Sequence, residues 1–500
     1  MTDNLRRGAG ILCHISSLPN KYGIGSLGKE AYDFADFLKS AHVKYWQVLP
    51  LTQTGYGDSP YQSVSCNSGN PYFIDLKQLK DEGLLDADEL KSCETEEVSV
   101  DYGALYEKRF ALLRLAYARF NVKDPDFVAF VESGEAEDYA VFMSLKSRYS
   151  GTFDTFPDSY KYKEQLAIKE FKEASYKSEY CFWQFLQYVF KKQWLKLKNY
   201  VNSLGISIIG DLPLYVAYDS ADVWARPELF VLDRDLKPTK VAGVPPDYFS
   251  KTGQLWGNPL YNWEVMEADG YDWWIKRIER AKELYDVIRI DHFRGLDRYY
   301  AVPYDSDTAE VGEWENGPSL KLFDKVRERL GDVPIIAEDL GVMDDGVKEL
   351  REKTGFPGMK IVLFAFDGEE DNEYLPENMG ENSVAYTGTH DNATALGLLK
   401  RMNEQQFKVF KKRLRAALEK EGVVFPFVNR EQAALALCVC TLASPAKVAV
   451  IPVQDLCGLD DDCRMNVPSV AEGNWKFRLG QMPTRYHAAL MRKMVKEFKR

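Results

Sequence analysis

Histidine is scarce in this chain, five in 500 residues, and none falls in an HExxH or similar spacing, so a catalytic transition metal lacks its usual ligand set. The eight cysteines (Cys13, Cys66, Cys93, Cys181, Cys438, Cys440, Cys457 and Cys463) form no CxxC pair and no pattern with histidine. That excludes a structural zinc motif and predicts reduced, mostly buried thiols. No stretch approaches the ~20 apolar residues of a membrane span, and no apolar signal core follows the charged segment Met1 to Arg7. The expected address is cytoplasmic. Positive charge is in deficit: 64 Lys and Arg stand against 76 Asp and Glu, a net charge of −12. This disfavours nucleic acid or an anionic membrane as a partner and favours a neutral substrate. No cofactor is expected, and no 20–50-residue repeat or low-complexity tract suggests a solenoid.

What is present reads as strands that end in polar residues. Gly10 to Ile15 is a short buried strand running into Ser16-Ser17-Leu18-Pro19. Lys29 to Ala41 spaces Ala31, Phe34, Ala35 and Leu38 as a helix, and Tyr45 to Pro50 is a second strand, so the pair is parallel with a right-handed crossover. Further strands are expected at Ile206 to Pro213, Asp286 to Asp291, Val333 to Gly341, Met359 to Phe364, Ser383 to Asp391 and Lys447 to Asp455. Eight strands separated by helical segments imply one (β/α)8 TIM barrel spanning 1–500, with the site where the strand C-termini gather.

Two stretches break the rhythm. Residues 76–200 carry long helical periodicities, as in Leu105 to Phe120 and Cys181 to Tyr200, and are expected to form an inserted, mainly helical subdomain. Residues 215–269 are expected to be a loop-rich insertion beside the site. Its segment Gly243 to Pro259 mixes so many turn formers with aromatics that an ordinary helix or strand is not expected. Loops of that length in compact domains are usually functional, and Tyr248 and Trp256 offer aromatic faces on which a sugar chain stacks, or simply glue the loop down.

The stretch Val287-Ile288-Arg289-Ile290-Asp291-His292-Phe293-Arg294-Gly295 organises the rest. Arg289 and Asp291 are two residues apart on a strand and so share a face, where the cation favours an ionised Asp291. Taken alone the pair is equally well a buried structural one. The polar strand ends Asp211, Asp291, Glu338, His390-Asp391 and Gln454-Asp455 all fall at one mouth, however. Converging carboxylates without metal ligands suit acid/base and nucleophilic work on a glycosidic bond.

The runs IRIDHFRG, IIAEDLG and YTGTHDN, with SPYQ, GDLPLYVA, DSADVW, RMN and GVPPDYFSKTGQLWGNPLY, resemble the 4-α-glucanotransferases called amylomaltases or disproportionating enzymes, of the α-amylase clan. The resemblance runs from about Gly8 to the C-terminus. It implies a retaining transfer of an α-1,4-glucan segment to the 4-hydroxyl of another glucan or glucose, with Asp291 as nucleophile, Glu338 as general acid/base and Asp391 as the third carboxylate. It also implies that Tyr61, Asp211, His292 and His390 lie beside the donor sugar and that Asn466 belongs to the binding site. The chain departs from the family pattern at Ser469, where many members place Gly after Asn-x-Pro. The implied partners are α-1,4-glucans and maltooligosaccharides, for a monomer or weak homodimer. A hydrolase of the same clan and a silent glucan-binding barrel stay open as alternatives; products formed from maltotriose separate the three.

Overall fold

The run Val448-Ala449-Val450-Ile451-Pro452 is buried at every position. It lacks hydrophobic alternation because a strand of an all-parallel sheet is covered on both faces. The same holds for Gly8–Leu12. In the computed structural model, which describes residues 5–55, 57–174, 177–246, 250–341, 343–470 and 472–500, these two runs pair in parallel, Gly8 opposite Val448. In chain order the strands are β1 Gly8–Leu12, β2 Tyr45–Gln47, β3 Ser207–Leu212, β4 Lys240–Val244, β5 Gln254–Pro259, β6 Val287–Ile290, β7 Arg298–Pro303, β8 Glu313–Asn316, β9 Ile335–Ala337, β10 Gly358–Ile361, β11 Ser383–Tyr386 and β12 Val448–Pro452. Strands β1, β2, β3, β6, β9, β10, β11 and β12 close a parallel barrel. They are the eight strands expected from sequence, and the fold is a (β/α)8 barrel.

Helices between them bury an apolar stripe, as Lys29–Ser40 does with Ala31, Phe34, Ala35, Phe37 and Leu38, while Arg430–Ala443 is buried almost all round from Ala433 to Leu442, and together they form a jacket around the barrel. At Gly210 in β3 a Cβ would fall 2.0 Å from the Tyr285 ring. Glycine is therefore what lets the segment entering β6 lie directly on β3. The N-terminal face of the β1–β12 seam is tied by two arginines: Arg7 and Arg500 both donate to the carbonyls of Ser444 and Ala446, just past the helix Arg430–Ala443.

From Leu76 to β3 the described chain is mainly helical, including Phe110–Arg119, Glu137–Arg148 and the 27-residue helix Lys177–Ser203. The long helix joins these helices to the barrel. Gln187 exchanges hydrogen bonds with the Gly69 backbone in both directions, and Trp194 Nε1 donates to Leu284 O at 3.0 Å.

Two local expectations change, and two strands were not foreseen. The stretch 243–259 is flanked by strand, because β4 and β5 pair antiparallel with a register shift between Val241 and Gly243. Hairpin pairing needs only backbone groups, and its turn formers serve it: a Cβ at Gly243 would sit 2.7 Å from Gln254 O. Strands β7 and β8, which follow the fourth barrel strand β6, complete a four-stranded sheet in the order β5-β4-β7-β8. The short polar run Glu313–Asn316 gave no hydrophobic signal for this. Finally, β12 stops at Pro452, and Gln454 and Asp455 sit on one helical turn, Val453–Leu456. All eight cysteines are free, four buried and four partly so.

Candidate functional site

Register places Arg289 of β6 directly beside Asp211 of β3, so both side chains take the same face. The guanidinium is buried and is divided between two carboxylates. Its Nη1 lies 2.7 Å from each Asp211 oxygen, and its Nη2 lies 3.0 Å from Asp291 Oδ1. The expected Arg289–Asp291 pair is there, but the closer partner is an aspartate from another strand. Tyr61, from the loop after β2, donates its hydroxyl to Asp211 Oδ2 at 2.7 Å. A buried cation with two anionic partners and a hydrogen-bonded neighbour is satisfied, and its position is fixed.

Past Ile290 the chain turns sharply. Asp291 N–H still donates to Leu212 O at 3.0 Å, but His292 adopts φ 50° and ψ 47°. This left-handed backbone costs a non-glycine residue about 1–2 kcal/mol. The turn aims the His292 N–H at Glu338 Oε2, 2.7 Å away. Leu340 N–H reaches Glu338 Oε1 at 3.0 Å, and Phe293 N–H bonds the Glu338 carbonyl at 3.1 Å. The ends of β6 and β9 thus hold each other, and with them the two carboxylates.

These two carboxyls titrate in one field. Loss of water raises the pKa of Asp291; Arg289 opposes the rise, and the Asp211, Glu338 and Asp391 charges add to it. Loss of water likewise raises Glu338, against Arg289 and the Leu340 and His292 N–H groups. The pair therefore keeps one proton to higher pH than ordinary carboxyls do. Arg289 touches Asp291, whose side chain is 28% accessible. Of the two, Asp291 is the one in direct contact with the cation, which favours its anion.

Asp391 lies beyond β11, and its carboxylate is 41% accessible. Asn466 Nδ2 donates to its Oδ1 at 2.6 Å, His390 Nε2 stands 3.3 Å from its Oδ2, and the Arg464 guanidinium grips its backbone carbonyl. Burial lowers the pKa of both site histidines, that of His292 to about 3, so both rings are neutral near pH 7. His390 stacks on Tyr61 with centroids 5.1 Å apart and planes 15° from parallel. Trp475 closes on both rings, at 5.7 and 5.8 Å.

The opposite wall comes from the hairpin. The Trp256 ring meets His292 edge-on at 4.7 Å, and Asn258 at the end of β5 pairs with Gln62, next to Tyr61. Tyr248 lies outside the described residues. The structure thus brings together Tyr61, Asp211, Trp256, Arg289, Asp291, His292, Glu338, His390, Asp391 and Asn466. Sequence reasoning missed Trp475, Gln62, Asn258 and Arg464. Their signals were faint: Gln62 and Asn258 stand inside the quoted SPYQ and GNPLY motifs, and Trp475 is an aromatic in a Gly-Asn-Trp turn. Ser469, in the Asn466 loop, has φ 65°, the left-handed region in which glycine is at ease.

Among the described residues no group of three or more His, Cys, Asp or Glu is arranged to hold a metal ion, and no helix is long and apolar enough to cross a membrane.

Fold and site together define a (β/α)8-barrel enzyme with a carboxylate-lined mouth. The chain matches the family model described as 4-alpha-glucanotransferase over residues 13–483 and belongs to that family. It is 45% identical over 509 residues to the 4-alpha-glucanotransferase of Thermus thermophilus, covering 99% of each chain. To the 4-alpha-glucanotransferase of Clostridium butyricum it is 44% identical over 472 residues, 93% of this chain and 95% of that one. A solved structure, the amylomaltase from Streptococcus agalactiae in complex with acarbose, aligns with a TM-score of 0.92 at 37% identity, over 99% of this chain and 100% of that one.

Proposed function

We propose that the protein cuts an α-1,4-glucan and passes the donor segment to the 4-hydroxyl of another glucan or of glucose, by a retaining mechanism in two steps. The observation that carries this is the split field at the mouth: Asp291 in contact with Arg289, and Glu338 held by two backbone N–H groups with its pKa raised by burial.

In the first step an Asp291 oxygen attacks the anomeric carbon while Glu338 gives its proton to the departing glycosidic oxygen. The bond to the leaving sugar breaks, and an ester to Asp291 forms. In the second step ionised Glu338 takes the proton of an incoming 4-hydroxyl, whose oxygen displaces Asp291. Configuration is inverted twice and so retained. Asp391, oriented by Asn466 and His390, accepts hydrogen bonds from donor-sugar hydroxyls as positive charge develops on the ring. Neutral His292 and His390 donate hydrogen bonds without adding a cation that would oppose this charge. Tyr61 and Trp256 offer ring faces at either side.

Pure protein incubated with maltotriose and run on a thin-layer plate tests the reading. A ladder of longer and shorter sugars supports transfer. Glucose and maltose alone would mean hydrolysis, and no change would leave a binding protein.

A further inference from the structure

One cavity lies away from the mouth. A cleft of about 240 Å³ opens between the helical insertion and the barrel, bounded by Ser65–Ser68, Gly134–Tyr139, the helix Ala221–Ala225 and the helix Asp272–Leu284. The small cavities behind His390 and behind Asp211 hold about 20 and 30 Å³. None of the site residues named above lines the cleft. Its lining mixes charged and polar side chains with apolar surface, and the mechanism does not use it.

Its charges cancel. Three carboxylates, Glu135, Asp138 and Asp222, face three cations, Arg226, Lys276 and Arg280, and each already has a partner in the protein. Arg280 pairs with Glu135 and Glu283, Lys276 with Asp272, Arg226 with Glu228 and Asp138 with Lys163, while Asp222 takes the Cys66 N–H. Such a wall has no net field for a phosphate or a metal ion, while its charged side chains disfavour a wholly apolar guest. Two lining groups keep hydrogen-bonding capacity: the exposed Asn67 amide and the indole N–H of half-buried Trp273 form no side-chain hydrogen bond among the described residues. An aromatic ring, a spare amide and neutralised charged groups match a sugar ring, with its apolar C–H face and its uncharged hydroxyls.

We propose that this cleft is a second binding site for α-glucan, taking one or two glucosyl units of a chain that is not being cut. The ligand class rests on the proposed function. The cleft shares Ser65–Ser68 with the loop that carries Tyr61 and Gln62, so a sugar bound there braces that loop. It also tethers a long chain close to the mouth, where effective concentration favours long donors and acceptors over short ones.

Binding is measured on the full chain carrying Glu338→Gln, which prevents turnover, by calorimetric titration with maltotriose. Adding Trp273→Leu or Asn67→Ala lowers the number of maltotriose molecules bound by one, whereas Trp273→Phe, which keeps a ring but loses the N–H, retains that molecule with weaker affinity. With Glu338 intact, the same changes leave kcat/KM on maltotriose unaltered and raise KM on amylose about fivefold, with kcat kept. The exposed Asn67 position keeps the test readable if Trp273→Leu folds poorly. Unchanged stoichiometry in both variants, or an amylose KM that does not move, overturns the proposal. Absence of a maltotriose ladder from the parent protein would instead contradict the function itself.

Discussion

Gln62 and Asn258 exchange two hydrogen bonds: Gln62 Nε2 donates to Asn258 Oδ1 at 2.9 Å, and Asn258 Nδ2 donates to Gln62 Oε1 at 3.2 Å. One residue follows Tyr61 and the other is the last but one in the strand that carries Trp256. This amide pair therefore sets the distance between two walls of the mouth. Gln62→Ala removes both bonds, along with the Gln62 bond to Trp256 O, and leaves the buried Asn258 side chain its bond to Val216 O. We expect a loss of about 1–3 kcal/mol in stability. Water is also expected to gain on the glucan acceptor, so the ratio of released glucose to transferred glucan rises. Equal partitioning in the variant and the parent would mean that the pair does not shape the mouth.

Asp291→Asn keeps volume and removes the attacking charge, so turnover falls at least a thousandfold or so while the thermal unfolding midpoint holds. Glu338→Gln is comparably damaging on maltotriose, but much less so in the first step for a glucosyl donor whose leaving group needs no proton. Mass spectrometry of that variant after such a donor is added should find the extra glucosyl mass on Asp291. Its absence would remove the covalent step.

Asp455 is buried and donates nothing visible to catalysis. It accepts the Ala395 N–H at 2.7 Å, and burial pushes its pKa up to about 7. An unfolded Asp titrates near 3.9, so between these values the folded state binds the extra proton and stability falls as pH rises. The stabilisation is complete below about pH 4 and gone above about pH 7, a change of order 2–4 kcal/mol. Asp455→Asn keeps an acceptor for Ala395 without the titration. Its unfolding midpoint should match the parent at pH 4 and exceed it at pH 8; equal midpoints at pH 8 would show that Asp455 ionises without cost.

Ser469 holds φ 65°. A side chain in that region costs about 1–2 kcal/mol, while glycine gives back about 0.4–1 kcal/mol through the unfolded chain. Ser469→Gly is then neutral to about 1 kcal/mol stabilising. Ser469→Val is destabilising and raises KM, because the loop carries Asn466, the Asp391 partner. A Val variant with unaltered KM would separate the loop conformation from the site.

Strand-end polarity made the barrel and its mouth readable before any coordinates, because burial on both faces forces unbroken apolar runs that can only end in polar residues at the rim. Arg289–Asp291 followed from strand periodicity alone. Asp211 as the closer partner of Arg289 did not, since register between β3 and β6 is a property of closure and not of either segment. Trp475 escaped for a similar reason: it reaches Tyr61 and His390 through a loop whose path depends on a left-handed backbone at φ 65°. The hairpin 240–259 was hidden by its own glycines and prolines, and β7 and β8 by their distance along the chain from it. Side-chain pattern reports burial, whereas these elements are set by backbone pairing at the surface.

The sheet β5-β4-β7-β8 takes two strands from before the β6 strand and two from after it. The hairpin carrying Trp256 is therefore sewn to the chain that leaves His292, and it cannot swing open without tearing the β4–β7 ladder from Lys240–Pro303 to Gly243–Tyr300. The consequence expected for a long polymer is entry lengthwise past a standing wall and not beneath a lifted flap.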